Sequence, residues 1–239
     1  MPRSLKSPQV PRGEAIHLRP TAALAERVLL PGDPGRALAL AQTLLDEPLM
    51  FNHHRGLWGY TGMAPDGEPL TIQATGMGGP SAAIVLSELI ALGARRAIRV
   101  GTCGALASGL ELGELVIARE AIGADGTSRA LGAGERVAAD PRLTEALSHH
   151  APSARCGAVL SVDLFYDVGR RPSAPDALAI EMEAATLFAV GAARGIPVAC
   201  VLAVSDTFDA DGGRRRIADA ALLAAAERMG AAAAAALSP

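Results

Sequence analysis

Apolar positions along this chain alternate between short continuous runs and stripes of helical period. "RVLL" at 27–30 reads as a buried strand. It turns through Pro31-Gly32-Asp33-Pro34 and continues as a helical stripe to about residue 45. In "HHRGLWGYTGMAPDGEPLTIQAT", two β-rich runs flank Pro65-Asp66-Gly67, which predicts a hairpin. "GMGGPSAAIVLSELIALG" is a second glycine turn opening a helix, with Pro80 and Ser81 near its start. Strands follow around 97–101, 113–120 and 157–166, with a helix around 141–149 between the last two. A helix over 181–194, the strand "PVACVLAVSD" at 197–206, a Gly/Asp loop and a helix from about 215 close the chain. Strands alternating with helices, several of them continuously apolar, predict an α/β fold. We expect a single domain with a mixed, mostly parallel central sheet flanked by helices.

Composition supports one domain: 239 residues, half of them hydrophobic, suffice for a large core. Residues 1–14 read as a flexible tail and 15–239 as the folded domain. The net charge of −3 and positive mean hydropathy argue against disorder and against a nucleic-acid surface. Lys6 is the only lysine and lies in the tail, which excludes P-loop and Schiff-base lysine chemistry from the domain. Cys103, Cys156 and Cys200 form no CxxC pair and leave an odd count, as expected in a reducing cytoplasm. The N-terminal stretch lacks the apolar core of a signal peptide, and no run approaches the roughly 20 apolar residues of a membrane span.

"IRVGTCGAL" at 98–106 sets a guanidinium, Arg99, where a buried strand should carry another valine. Ligands of such sheets bind beyond the strands' carboxyl ends. Four pieces can converge there: "PGDPGR", "ATGMGGPS", "RVGTCGA" and "VSD". None fits a dinucleotide or P-loop fingerprint. Arg36 follows the first glycine turn, and Thr102 adds a hydroxyl beside Gly101. Guanidinium forks, backbone amides and a helix N-terminus together suit a phosphate. His53-His54 and His149-His150 have neighbouring side chains that diverge, so neither pair resembles a metal ligand set, and no metal is expected.

Seven blocks in order, "LLPGDPGRA", "HRGLWGYTG", "TGMGGPS", "RVGTCGA", "SVDLFY", "IEMEAATL" and "AVSD", resemble the nucleoside phosphorylase-I family, in its hexameric purine nucleoside phosphorylase branch. The likeness runs from about His17 to Asp206. It implies reversible phosphorolysis of purine (deoxy)ribonucleosides to free base and (deoxy)ribose 1-phosphate, with inorganic phosphate as co-substrate and no cofactor. By resemblance, Gly32, Arg36, Arg99 and Thr102 bind phosphate, and Arg55 reaches in from a neighbouring subunit. His17 crosses the same interface toward the ribose 5′-hydroxyl, and Glu183, Met182 and Met77 hold the sugar. Phe165 stacks on the base, with Cys103, Gly104, Ile180, Glu181 and Ser205 lining its slot. Asp206 is the general acid at N7, a role that requires burial to raise its pKa above about 3.9. The family's assisting arginine lies about a dozen residues further on. Here the segment is compressed to "SDTFDADGGRRR", so the candidates are Arg214, Arg215 and Arg216. Asp163 reads as a structural hydrogen-bonding partner.

The resemblance also implies a homo-oligomer, a trimer of dimers with sites at dimer interfaces. Uridine phosphorylases carry a Gln and an Arg in a longer insert after the "FY" block. Here "DVGRRPSAPDALA" contains no Gln, which favours purine. The alternatives are a uridine phosphorylase, a nucleosidase of the same superfamily, which would not need Arg36, Arg55 and Arg99 together, and a noncatalytic nucleoside-binding protein.

Overall fold

The computed structural model describes residues 14–166, 174–209 and 213–238. The expected tail therefore lies outside the described residues except for its last position, as do part of the segment after Tyr166 and part of the Gly/Asp loop. The first half of the domain runs β1 (Arg27–Leu30), α1 (Pro34–Leu44), β2 (Asp46–Asn52), β3 (Gly59–Met63), β4 (Pro69–Gln73), α2 (Gly79–Leu92) and β5 (Arg96–Ala105). It continues through β6 (Leu115–Gly123), α3 (Gly126–Ala130), β7 (Arg136–Ala138), α4 (Pro141–His150) and β8 (Arg155–Ser161). β9 (Ala177–Glu181), α5 (Ala184–Arg194), β10 (Val198–Phe208), β11 (Arg214–Arg216) and α6 (Asp219–Ala236) complete it.

Among the described residues all the strands belong to one mixed sheet. Its parallel centre is β4-β1-β5-β10, extended at one edge by the antiparallel β3 and β2. On the other side the sheet curls back on itself. β10 pairs with β6, β6 with β8, β8 with β9, and β9 returns to the end of β5, closing a five-stranded ring with β10 and β5. Helices α1, α4 and α6 bury one face of the sheet around Leu40, Leu147 and Met229, and α2 and α5 bury the other around Leu86 and Phe188. The fully buried β1 and most of β10 are therefore covered on both sides, which is why their apolar residues read as continuous runs.

Helix starts follow local chemistry. Asp33, Asp125 and Asp140 cap α1, α3 and α4 by accepting from Arg36 N, Ser128 N and Leu143 N at 2.7–2.9 Å, with a proline in the first turn of α1 and α4. Other boundaries differ from the sequence pattern. The strand expected over 157–166 ends at Ser161. The chain then leaves the sheet, and Asp163 accepts a hydrogen bond from Gly126 N at 2.7 Å. The helix expected from 181 starts at Ala184, because residues 177–181 pair with β8 and β5 instead. The helix expected from 215 starts at Asp219, because Arg214–Arg216 fold back antiparallel onto the end of β10.

Arg27 ties the start of β1 to the β3–β4 turn. Its guanidinium meets both oxygens of Asp66 at 2.5 Å and the carbonyls of Glu68 and Pro69, while Ser238 Oγ donates to Asp66 from the C-terminus. The hydrogen bond from Arg27, aided by those from Ser238 and Glu68, holds the Asp66 carboxyl well below the usual carboxylate range despite the opposing effect of burial. A depressed native pKa contributes stability that is complete above the unfolded value, near 4, and is lost as pH falls toward the native one. Asp66→Asn is therefore expected to lower the urea midpoint at pH 7 and to flatten its decline below about pH 4. Parallel acid unfolding of wild type and variant checks this.

Candidate active site

Register brings the first glycine turn to Arg99. Leu30, the last residue of β1, sits opposite Arg99 on β5, so Gly32 emerges beside it. Arg99 is buried, and its guanidinium folds back over Gly101, where a Cβ would stand 2.7 Å from Cζ and Nη2. That answers why glycine follows two residues after the arginine. Arg99 Nε donates to Glu181 Oε2 at 3.1 Å and Nη2 to Glu183 Oε2 at 2.5 Å. Nη1 is buried, lacks a hydrogen-bond partner, and lies near Gly32. Burial alone would lower the Arg99 pKa, but the charges of Glu183 and Glu181 outweigh it and hold the group above its ordinary value. Arg36, in the first turn of α1, is held below its ordinary value by burial and by the charge of Arg99, against the opposing pull of Asp33. Two guanidinium groups thus face one region, the spare nitrogen of Arg99 among them. Such a region calls for an anion.

This region opens into a cleft of about 840 Å³. Gly32, Arg36, Met77, Arg99, Thr102, Met182 and Glu183 line it. Glu183 Oε1 accepts from Gly78 N at the start of α2, which leaves its carboxylate strung between Gly78 and Arg99. Cys103, Gly104, Phe165, Ile180, Ser205, Asp206 and Arg214 line the same cleft. Burial pushes the Cys103 thiol up, so it is a neutral wall. Glu181 borders the cleft, yet its carboxylate is wholly taken up by Ser161 Oγ, the amides of Glu183 and Ala184, and Arg99.

A register shift in β10 between Val204 and Asp206 turns both Ser205 and Asp206 toward the cleft. Ser205 Oγ donates to Asp206 Oδ2 at 2.7 Å, and Arg214 Nε donates to Oδ1 at 2.8 Å. The expectation of a raised Asp206 pKa is corrected here. Burial pushes it up, but the hydrogen bonds from Arg214 and Ser205 and the charges of Arg214 and Arg216 outweigh burial and hold it below the ordinary value. Among the three arginine candidates, Arg214 faces the cleft. Arg215 and Arg216 are exposed and do not line it. The Arg214 guanidinium also lies 4.6 Å above the Phe165 ring, within cation–π range.

His17 and Arg55 stand outside the cleft of their own chain. His17 Nδ1 contacts Glu88 Oε1 at 2.7 Å, and Glu88 also accepts the backbone amides of residues 16–18. Arg55 sits in the turn between β2 and β3 at the outer edge of the sheet, in a left-handed conformation with φ 59°. His17, Arg19, His53 and Arg55 crowd His54, which partial desolvation and then those charges hold below its ordinary value. The sequence reading missed Phe208, Asp163 and Val162 as lining residues. Phe208 had a usable signal: it is two residues beyond Asp206 on one strand, and its ring lies 3.3 Å from where a Gly104 Cβ would stand.

Comparison with known proteins gives the family of the chain. The family described as "Phosphorylase superfamily" matches residues 26–238. A protein of Clostridium novyi (strain NT) named purine nucleoside phosphorylase DeoD-type is 36% identical over 195 residues, covering 77% of this chain and 83% of its own. The protein of that name from Oceanobacillus iheyensis is 37% identical over 197 residues, covering 77% and 83%. One from Bacillus cereus (strain ATCC 14579) is 35% identical over 194 residues, covering 77% and 82%.

Proposed function

The chain belongs to the phosphorylase superfamily, and on that premise we propose that it is a purine nucleoside phosphorylase, a pentosyltransferase that transfers ribose or deoxyribose from a purine to inorganic phosphate. The observation that carries the reading is the buried, unpartnered Nη1 of Arg99, facing the Gly32 turn and sharing its region with Arg36. A phosphate there receives hydrogen bonds from Arg99, Arg36, Thr102 and the backbone amide of Gly32. Glu183 accepts from the ribose 2′ and 3′ hydroxyls, with Met182 and Met77 against the sugar.

Cleavage leaves positive charge on the ribosyl ring and negative charge on the departing purine. The bound phosphate meets the cation. The base stacks on Phe165, where Arg214 now lies, so its arrival displaces that guanidinium from the ring and from Asp206. Released from its ion pair and drier, the carboxyl gains basicity, takes up a proton from solvent water as the nucleoside binds, and donates it to N7 as the glycosidic bond breaks. No cofactor is needed for these steps.

His17 and Arg55 complete a neighbour's site in a homo-oligomer, a trimer of dimers. Their position outside their own cleft supports this, as do the exposed Ile16, Leu49 and Met50 near them in sequence. Among the described residues, no helix is long and apolar enough to cross a membrane. We place the enzyme in the cytoplasm, where its three unpaired cysteines stay reduced.

Base release from inosine, adenosine and uridine, each with and without inorganic phosphate, tests the reading. Phosphate-dependent release from the purines supports it. Release without phosphate identifies a nucleosidase, uridine as best substrate a pyrimidine enzyme, and binding without release a binding protein. Gly101→Ala gives a local check, since its methyl must push the Arg99 guanidinium aside. We expect the phosphate KM to rise roughly 10-fold, equivalent to about 1.4 kcal/mol of binding, measured by initial rates at saturating inosine.

A further inference from the structure

We infer that Glu181 is a positioning residue for Arg99, acting with Ser161 as a relay that aims the Arg99 guanidinium at the anion subsite, and that it is not a wall of the base slot. The inference rests on the phosphate-binding reading above and deepens it. Glu181 ends β9, and the backbone partner across the ladder is Ser161, the last residue of β8. Its side chain is fully buried. Oε1 accepts from Ser161 Oγ at 2.5 Å, Oε2 from Glu183 N at 2.9 Å, and Ala184 N donates to both oxygens at 2.9 Å. Ser161 Oγ is itself held by Ala185 N at 3.0 Å. The carboxylate is thereby fixed from three directions before it meets Arg99 Nε at 3.1 Å.

Geometry then assigns the three guanidinium nitrogens different tasks. Nε is anchored on Glu181 and Nη2 on Glu183, so the planar group has no remaining freedom to rotate, and Nη1 is presented without a protein partner. Were Glu181 lost, the guanidinium would keep a single anchor, Glu183, and swing about it. The same carboxylate satisfies the first amides of α5, which links the pose of Arg99 to the start of the helix that follows Glu183. A base contact from Glu181 would have to break this arrangement, because each oxygen already accepts two or more bonds.

The test is steady-state kinetics on Glu181→Gln and Ser161→Ala in the full chain, with the phosphate KM and the inosine KM determined separately, each at saturation of the other substrate. Glu181→Gln is expected to raise the phosphate KM about 10-fold and Ser161→Ala about 3-fold, with the inosine KM within 2-fold of wild type in both. Thermal unfolding with and without inorganic phosphate gives a second readout that needs no turnover: the stabilisation by phosphate seen in wild type should shrink in both variants. Should the glutamine variant fail to fold, the serine variant decides by the same measurements. A rise in the inosine KM with an unchanged phosphate KM returns Glu181 to the base slot and overturns the inference. A lower melting temperature with both KM values and the phosphate shift unchanged overturns it as well, leaving only a structural brace. If wild type shows no phosphate-dependent release, the functional reading falls, while the phosphate-dependent melting shifts still judge the relay.

Discussion

Replacing Arg99 by alanine is expected to abolish measurable phosphorolysis and to destabilise the protein by about 3–5 kcal/mol, the cost of removing one partner from a buried ion network. The physical source is what remains. Glu181 and Glu183 are both buried and would face each other without the cation between them. Glu181 is already pushed up by burial, against the opposing charge of Arg99. Without that charge it rises further, so the variant gains from protonation and its deficit should be smaller at pH 5 than at pH 8. The catalytic loss is expected to reach at least the 10²–10³-fold typical of deleting one preorganised donor to a reacting anion. Arg99→Lys should rescue little, because an ammonium on a flexible stem cannot replace a planar fork held at two nitrogens while it presents the third. Urea unfolding at the two pH values, with initial rates at varied phosphate, checks both parts. A variant as stable as wild type at pH 8 would contradict the network described here.

Asp206→Ala is expected to lower kcat/KM for inosine by 10²–10⁴-fold, the range for a general acid, while leaving the fold intact. Arg214, its main partner, is about a third exposed, so losing the pair strands no buried charge. The partner substitution separates the acid from its regulator. Arg214 holds the Asp206 carboxyl below its ordinary value, so Arg214→Ala should raise that pKa in the free enzyme. The protonated form then persists to higher pH, and the alkaline limb of kcat/KM moves upward. Ser205 and Arg216 still hold the carboxyl down and limit the size of that shift. An Asp206→Ala enzyme within 10-fold of wild type would remove Asp206 from the chemistry.

Much of the secondary structure was legible because its causes are local. Asp-Pro pairs cap α1 and α4 within three residues of the helix they start, and Pro65-Asp66-Gly67 makes the β3–β4 turn from its own conformational preferences. What local pattern misassigned is what pairing decides. The stripe at 181–194 reads as helical from its first residue, yet Glu181 closes β9, whose Ile180 pairs with Leu160 and Gly104 far away in sequence, and the helix starts at Ala184. Arg214–Arg216, three exposed arginines with no strand pattern, become β11 only because the end of β10 offers them a free edge.

The candidate site divides along the same line. By itself the sequence determined the fold class, the family and the residue types in play: an arginine inside an apolar strand, glycines at the strand ends, and the acidic Glu183 and Asp206 within the matching blocks. The tertiary structure alone decided their partners. It made Glu181 an anchor for Arg99, chose Arg214 among three neighbours, held Asp206 below its ordinary pKa, and set His17 and Arg55 outside the cleft. The physical reason is one of range. Propensity, capping and hydrophobic period act over a few residues. A hydrogen bond between positions 82 apart, or a pKa set by burial against a charge, exists only once strand register has brought those atoms together.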